Sequence, residues 1–340
     1  MIPKKVILDC DPGSDDAIAM MLAMKSAAID LIGVTTVNGN RIVPKTTENA
    51  LRVVQFMKAS VPVYRGCEEP IICNEIPGRK PGLPRVTLND CHGDFLPLPE
   101  AEIRTEKEHA VFYLVKTLME SEGDIYVAAV GPLTNLAMAL RIEPKIAGKI
   151  KQLVIMGGGH CGANASPAAE FNFYADPEAA KIVMDSAIPK VILPLDATWR
   201  ACLSEEKCKE LAQLGTPEAK VAAALVQKRI DNLKVNDVSE HNYALRHQAG
   251  TVAGAMLYRY DNHMAPIHDA LAIAYLINEN VVTELADANV DIDIAGGLCD
   301  GRMVADFHNT KKCKAPVTAK VALNSDAGLF TDMLFAALGK

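Results

Sequence analysis

Four aspartates, Asp9, Asp11, Asp15 and Asp16, fall within eight residues, directly after the apolar run Val6-Ile7-Leu8. Carboxylates this close repel one another wherever water is partly excluded, so the cluster calls for a cation or a shared proton. Asp15 and Asp16 open a helical pattern, where acids complement the positive end of the helix dipole. Capping does not account for Asp9 and Asp11, which flank a strand end. A set of hard oxygen donors favours calcium or magnesium over zinc. An EF-hand does not fit, because counting from Asp9 the sixth position is Ser14 rather than Gly, and Met20 stands where the bidentate Glu belongs.

Other stretches carry chemistry of a weaker kind. Asp9-Cys10-Asp11 matches the start of phosphatases that use an aspartate nucleophile, yet Gly13 stands where those enzymes carry Thr or Val, and a doubled Asp15-Asp16 is foreign to them. The glycines from Met156 to Gly162 satisfy GxGxxG literally, but they run into Ala163-Asn164-Ala165-Ser166-Pro167. No helix follows to receive a pyrophosphate, so a loop presenting Asn164 is the better reading. Glu170 and Asn172 share one side if their segment is extended and could then grip vicinal hydroxyls. The plain alternative is a surface loop leading into a helix at Asp176-Pro177. His268-Asp269 precedes an apolar helix, where an Asp by itself reads as a cap. His92 lies in the Pro- and Gly-rich stretch 64–100, which exceeds ordinary loop lengths and reads as a functional flap.

These residues need a scaffold, and the hydrophobic pattern supplies one. Strands are expected at 6–8, 31–37, 125–130, 153–156 and 191–195, alternating with helices at 15–25, 46–58, 106–119, 133–140 and 176–184. This alternation predicts an α/β fold with a mainly parallel, doubly wound open sheet and helices on both faces. Past residue 200 the pattern is more helical, with helices at 204–214, 217–228, 241–258 and 266–277. Late strands at 290–295, 303–307 and 318–323 precede a terminal helix from Asp326. Residues 1–340 are expected to form one domain. Ligands of open α/β sheets bind beyond the C-terminal strand ends, which is where Asp9 and Asp11 fall.

The composition narrows the function. The chain has 340 residues, 49% of them hydrophobic, enough to bury an enzyme-sized core. A formal charge of −7 without a dense Lys/Arg run argues against nucleic acid and membrane surfaces as partners. Nine cysteines without a CxxC pair fit a reducing compartment better than a disulfide framework or a structural zinc site. Neither a signal-peptide pattern nor a membrane-length apolar run is present, so a cytoplasmic location is expected.

Taken in order, the blocks resemble the nucleoside hydrolase family of the inosine-uridine preferring type. Its DxDxGxDDxxA signature stands here as Asp9 to Ala19. Asn38-Gly39-Asn40, Cys91-His92-Gly93, Gly131-Pro132-Leu133-Thr134-Asn135, Met156-Gly157-Gly158, Glu170-Phe171-Asn172 and His268-Asp269-Ala270 follow in the family's order.

The resemblance implies hydrolysis of the N-glycosidic bond of small-molecule ribonucleosides to ribose and free base. It implies a calcium ion held by Asp11, Asp16, Asp269 and the carbonyl of Val130, with Asp11 activating a water on that ion. Asp15, Asn40, Asn164, Glu170 and Asn172 would bind the ribose, Asp9 would support the other acids, and His268 or His92 would assist the leaving base. Glu170 toward the sugar 5′ end would repel a phosphate, favouring nucleosides over nucleotides. Histidines at 92 and 268, where the purine-specific branch carries tryptophans, point to inosine and uridine; the alternatives are a purine-preferring hydrolase, a phosphatase or a non-catalytic nucleoside binder. Residues 257–263 would form the lid over the base. The family also implies a homodimer or homotetramer.

Overall fold

A computed structural model of the chain describes residues 2–72, 75–76, 93–235, 264–308 and 316–340. The first part winds through β1 (Lys4–Cys10), α1 (Ser14–Lys25), β2 (Ile29–Thr36), α2 (Val43–Phe56), β3 (Val63–Arg65), α3 (Ala110–Glu120), β4 (Ile125–Ala129), α4 (Thr134–Ile142) and β5 (Ile150–Met156). It continues with α5 (Phe171–Ala175), α6 (Pro177–Met184), β6 (Lys190–Leu193), α7 (Leu195–Thr198), β7 (Cys202–Ser204), α8 (Glu205–Gln213) and α9 (Pro217–Val235). The last part holds β8 (Met264–Pro266), α10 (His268–Ile277), β9 (Val282–Ile292), β10 (Met303–Asp306), β11 (Ala319–Ser325) and α11 (Ala327–Leu338).

Nine strands form one sheet in the order β10-β9-β11-β6-β5-β4-β1-β2-β3, parallel from β11 through to β3. Only β9 and β10, at one edge, run antiparallel to their neighbours. The expected α/β architecture is therefore present. Alternation along β1 sends Val6, Leu8 and Cys10 to one core and Ile7 to the other. α1, α2, α9, α10 and α11 cover the first face, and α3, α4 and α6 cover the second. The order also reverses at β1, with β2 and β3 added on one side and β4 to β6 on the other. This is a topological switch point, where open α/β sheets bind ligands in a crevice beyond the C-terminal strand ends, here those of β1 and β4.

Several expected boundaries shift. The strand expected at 290–295 is the longer β9, which runs antiparallel to both β10 and β11 and leaves most of its first half exposed, so it lacks a continuous apolar run. β3 falls inside and just before the expected flap, held by parallel pairing with β2. In α1, Ser14 through Ala23 are all buried. Packed between the sheet and other helices, α1 has no solvent side over that length. The segment after Glu170 is helical rather than extended. The helix expected at 241–258, the lid at 257–263 and His92 lie outside the described residues. Among the described residues no helix is long and apolar enough to cross a membrane.

Candidate active site

The site starts in the turn between β1 and α1. Asp16 braces this turn: its Oδ2 accepts from the Gly13 amide at 2.9 Å and its Oδ1 from the Asp11 amide at 3.2 Å. Capping thus explains part of Asp16, as the sequence suggested. Asp269 arrives from the first turn of α10, whose N-cap is Ile267 and which has no side-chain cap. The capping role open to Asp269 is not the one it plays. Instead, Asp15, Asp16 and Asp269, all buried, each offer an oxygen within 4.8 Å of the others. This arrangement could hold a metal ion.

Asp11 stands beside that group. The Asn40 amide donates to Asp11 Oδ2 at 2.5 Å, while the Asn40 side-chain amide donates to the Asp11 carbonyl at 3.2 Å and to Asp16 Oδ2 at 3.3 Å. Glycines admit the carboxylate on both sides, since a Cβ on either Gly39 or Gly131 would collide with it. The Asn38-Gly39-Asn40 and Gly131 blocks are therefore walls for Asp11. Burial drives the pKa of Asp11 well above the ordinary carboxylate range, and repulsion from Asp16 and Asp15 adds to the rise. Asp269 is raised in the same way, first by burial and then by Asp15, Asp16 and Asp11. Crowded, desolvated carboxylates of this kind suit a divalent cation, which would reverse both shifts.

The remaining residues surround this core. Val130 donates its amide to the Asp9 carbonyl at 2.8 Å, and its own carbonyl accepts from Asn172 Nδ2 at 2.8 Å. Asn172 Nδ2 also reaches the Met156 carbonyl at 3.0 Å, so this side chain bridges the ends of β4 and β5. Glu170 is the N-cap of α5, accepting from the amides of Asn172 at 2.9 Å and Phe173 at 3.3 Å, and from Gly158 at 2.8 Å. Burial raises its pKa to about 7 despite those donors. Asn164 is exposed, and its Oδ1 accepts from the Phe171 amide at 2.8 Å. His268 is buried with Nδ1 at 2.8 Å from Thr198 Oγ1, which fixes the orientation of the ring.

Asp9 serves a different part of the site. Its Oδ1 accepts from Thr35 Oγ1 at 2.6 Å and Asn135 Nδ2 at 2.7 Å, tying β1 to β2 and α4 below the acid cluster. Among the described residues its buried Oδ2 has no hydrogen-bond partner, and burial lifts its pKa to about 6. Sequence reasoning did not single out Thr35, Thr198 or Arg229. Arg229 Nη1 lies 2.7 Å from Asp15 Oδ1. A threonine inside a strand and an arginine inside a long helix carry no local signal of such roles.

Residues 6–332 match the sequence profile of the inosine-uridine preferring nucleoside hydrolases. The chain is 36% identical over 337 residues to the pyrimidine-specific ribonucleoside hydrolase RihB of Escherichia coli O157:H7, covering 97% of this chain and 95% of that protein. Among solved structures it is similar to a plant nucleoside hydrolase, with 27% identity, a TM-score of 0.81 and 99% of both chains covered. It is also similar to a purine-preferring ribonucleoside hydrolase from Gardnerella vaginalis, with 25% identity, a TM-score of 0.82, and 99% of this chain and 98% of that one covered.

Proposed function

Because this chain belongs to the inosine-uridine preferring nucleoside hydrolases, a family of N-glycosyl hydrolases, we propose that it hydrolyses ribonucleosides to ribose and free base through the acid cluster at the β1/β4 crevice. The observation that carries this is the convergence of Asp15 and Asp16 from α1 with Asp269 from α10, beside Asp11.

Asp11, Asp16, Asp269 and the Val130 carbonyl would hold calcium, and the proximity of Asp15 to Asp16 and Asp269 puts it within reach of the same ion. When bound, the cation would orient the sugar hydroxyls and a water and make that water more acidic. Asp11 is the general base that takes the water's proton as its oxygen approaches C1′ of the sugar. Its two glycine walls and the Asn40 amide hold the carboxylate in place for that transfer.

As the glycosidic bond breaks, positive charge builds on the ribose and negative charge on the base. The carboxylate-rich pocket stabilises the first. His268 or His92 protonates the base and relieves the second. Asp15, Asn40, Asn164, Glu170 and Asn172 line the ribose side. We assign the substrate preference to the inosine-uridine type, its pyrimidine arm supported by the similarity to a pyrimidine-specific hydrolase. Incubation with inosine, uridine, cytidine, guanosine and adenosine, with chromatographic detection of free base, tests the proposal. Base release from inosine and uridine is expected; none from any of them refutes it.

A further inference from the structure

Asp15 meets a permanent positive charge. Arg229, on α9, brings Nη1 to 2.7 Å from Asp15 Oδ1 and to 3.3 Å from Ser14 Oγ. Both members of the ion pair are nearly enclosed, with side-chain exposures of 11% for Arg229 and 7% for Asp15. An arginine cannot shed its proton to escape burial, so its desolvation must be offset by a fixed anionic partner. Asp15 is in turn one of the three acids whose oxygens lie close enough together to hold a cation.

We propose that Arg229 is a resident counter-charge of the acid cluster, a positioning residue that holds Asp15 in place when no divalent cation is bound and that weakens cation binding by competing for that carboxylate. The proposal rests on taking the cluster as a cation site. Its consequence is a linkage. Removing the guanidinium should harm the cation-free protein more than the loaded one, because a bound cation supplies the missing positive charge. By the same cycle, the cation should then bind more tightly.

Arg229→Met and Arg229→Lys test this in the full-length chain. Thermal unfolding is followed after chelation and again with saturating calcium chloride, and calcium affinity is measured by titration calorimetry. Arg229→Met should lose more melting temperature after chelation than with calcium, and should bind calcium at least about tenfold more tightly. Arg229→Lys keeps the charge and should stay within a fewfold of wild-type affinity. Equal losses of melting temperature in both states, or unchanged or weaker calcium binding by Arg229→Met, would overturn the proposal and leave Arg229 a packing residue. Should Arg229→Met fail to fold in either state, Arg229→Gln takes the same comparison with the same criteria. Wild-type protein that shows neither a calcium-dependent melting shift nor binding heat would remove the cation site itself, an outcome that needs no variant to recognise.

Discussion

Asp11 and Glu170 are both buried carboxyls with raised pKa values, yet their surroundings assign them different work. Asp11 has repelling acids beside it, glycine on both sides and the Asn40 amide at 2.5 Å. Asp11→Asn keeps this shape while removing the proposed base, so turnover should fall by about 10²-fold or more. The melting temperature of the chelated protein should hold or rise, because one crowded acid is gone. Steady-state assays and thermal unfolding on the same preparation check both halves. Glu170 is instead locked onto three backbone amides, and its pKa rises from 4.5 to about 7 through burial. A carboxyl raised on folding favours the native state below its ordinary pKa, and this contribution is lost as pH climbs through the folded value. The stability advantage of wild type over Glu170→Gln should therefore shrink by roughly 3 kcal/mol between pH 4.5 and pH 8. Denaturant titrations at the two pH values measure it. The importance of Glu170 was legible from its block, but the manner was not: whether residues 170 to 172 continue a strand or cap a helix depends on Gly158 lying within reach of the carboxylate.

At the scale of elements, the proposed catalytic residues Asp11 and His268 are each held by a neighbour from a different part of the chain. α10 carries His268 and Asp269 together, and Thr198 at the end of α7 fixes the imidazole through Nδ1. Thr198→Val removes that contact with little change in volume. If His268 is the acid, kcat for inosine should fall by roughly ten- to a hundredfold. Hydrolysis of 4-nitrophenyl riboside, whose leaving group departs without protonation, should change little. An equal loss on both substrates would instead mean general disruption of the pocket. β1, α1 and the blocks that open α4 and α10 were legible because apolar periodicity and polar punctuation coincide there. β9 was placed late because most of its first half faces water, and β3 was not anticipated because three residues make no periodic signal.

For the whole molecule, the strand order decides where the chemistry sits. With β1 and β4 adjacent at the switch point, Gly131 meets the Asp11 carboxylate, and α10 packs alongside α1 to complete the acid group. A cation bound only by the folded chain stabilises it, by about 2.7 kcal/mol at a hundred times its dissociation constant. Chelation should therefore lower the melting temperature by several degrees at pH 8. The shift should be smaller at pH 5, where protonated carboxyls hold cations poorly. Unfolding scans with calcium or chelator at both pH values test this, and no shift at either would exclude a stabilising ion. The sequence by itself determined the alternating α/β order, the strand end that carries the first acids and, through its ordered motifs, the family. These are local or linear properties, written in periodicity and spacing. Tertiary structure alone decided that Asp15 joins Asp16 and Asp269 in one group, that Thr198 orients His268, and that Arg229 meets Asp15. Each of those pairings joins residues from distant elements, and only packing across the sheet and between helices sets the distances over which charge and hydrogen bonds act.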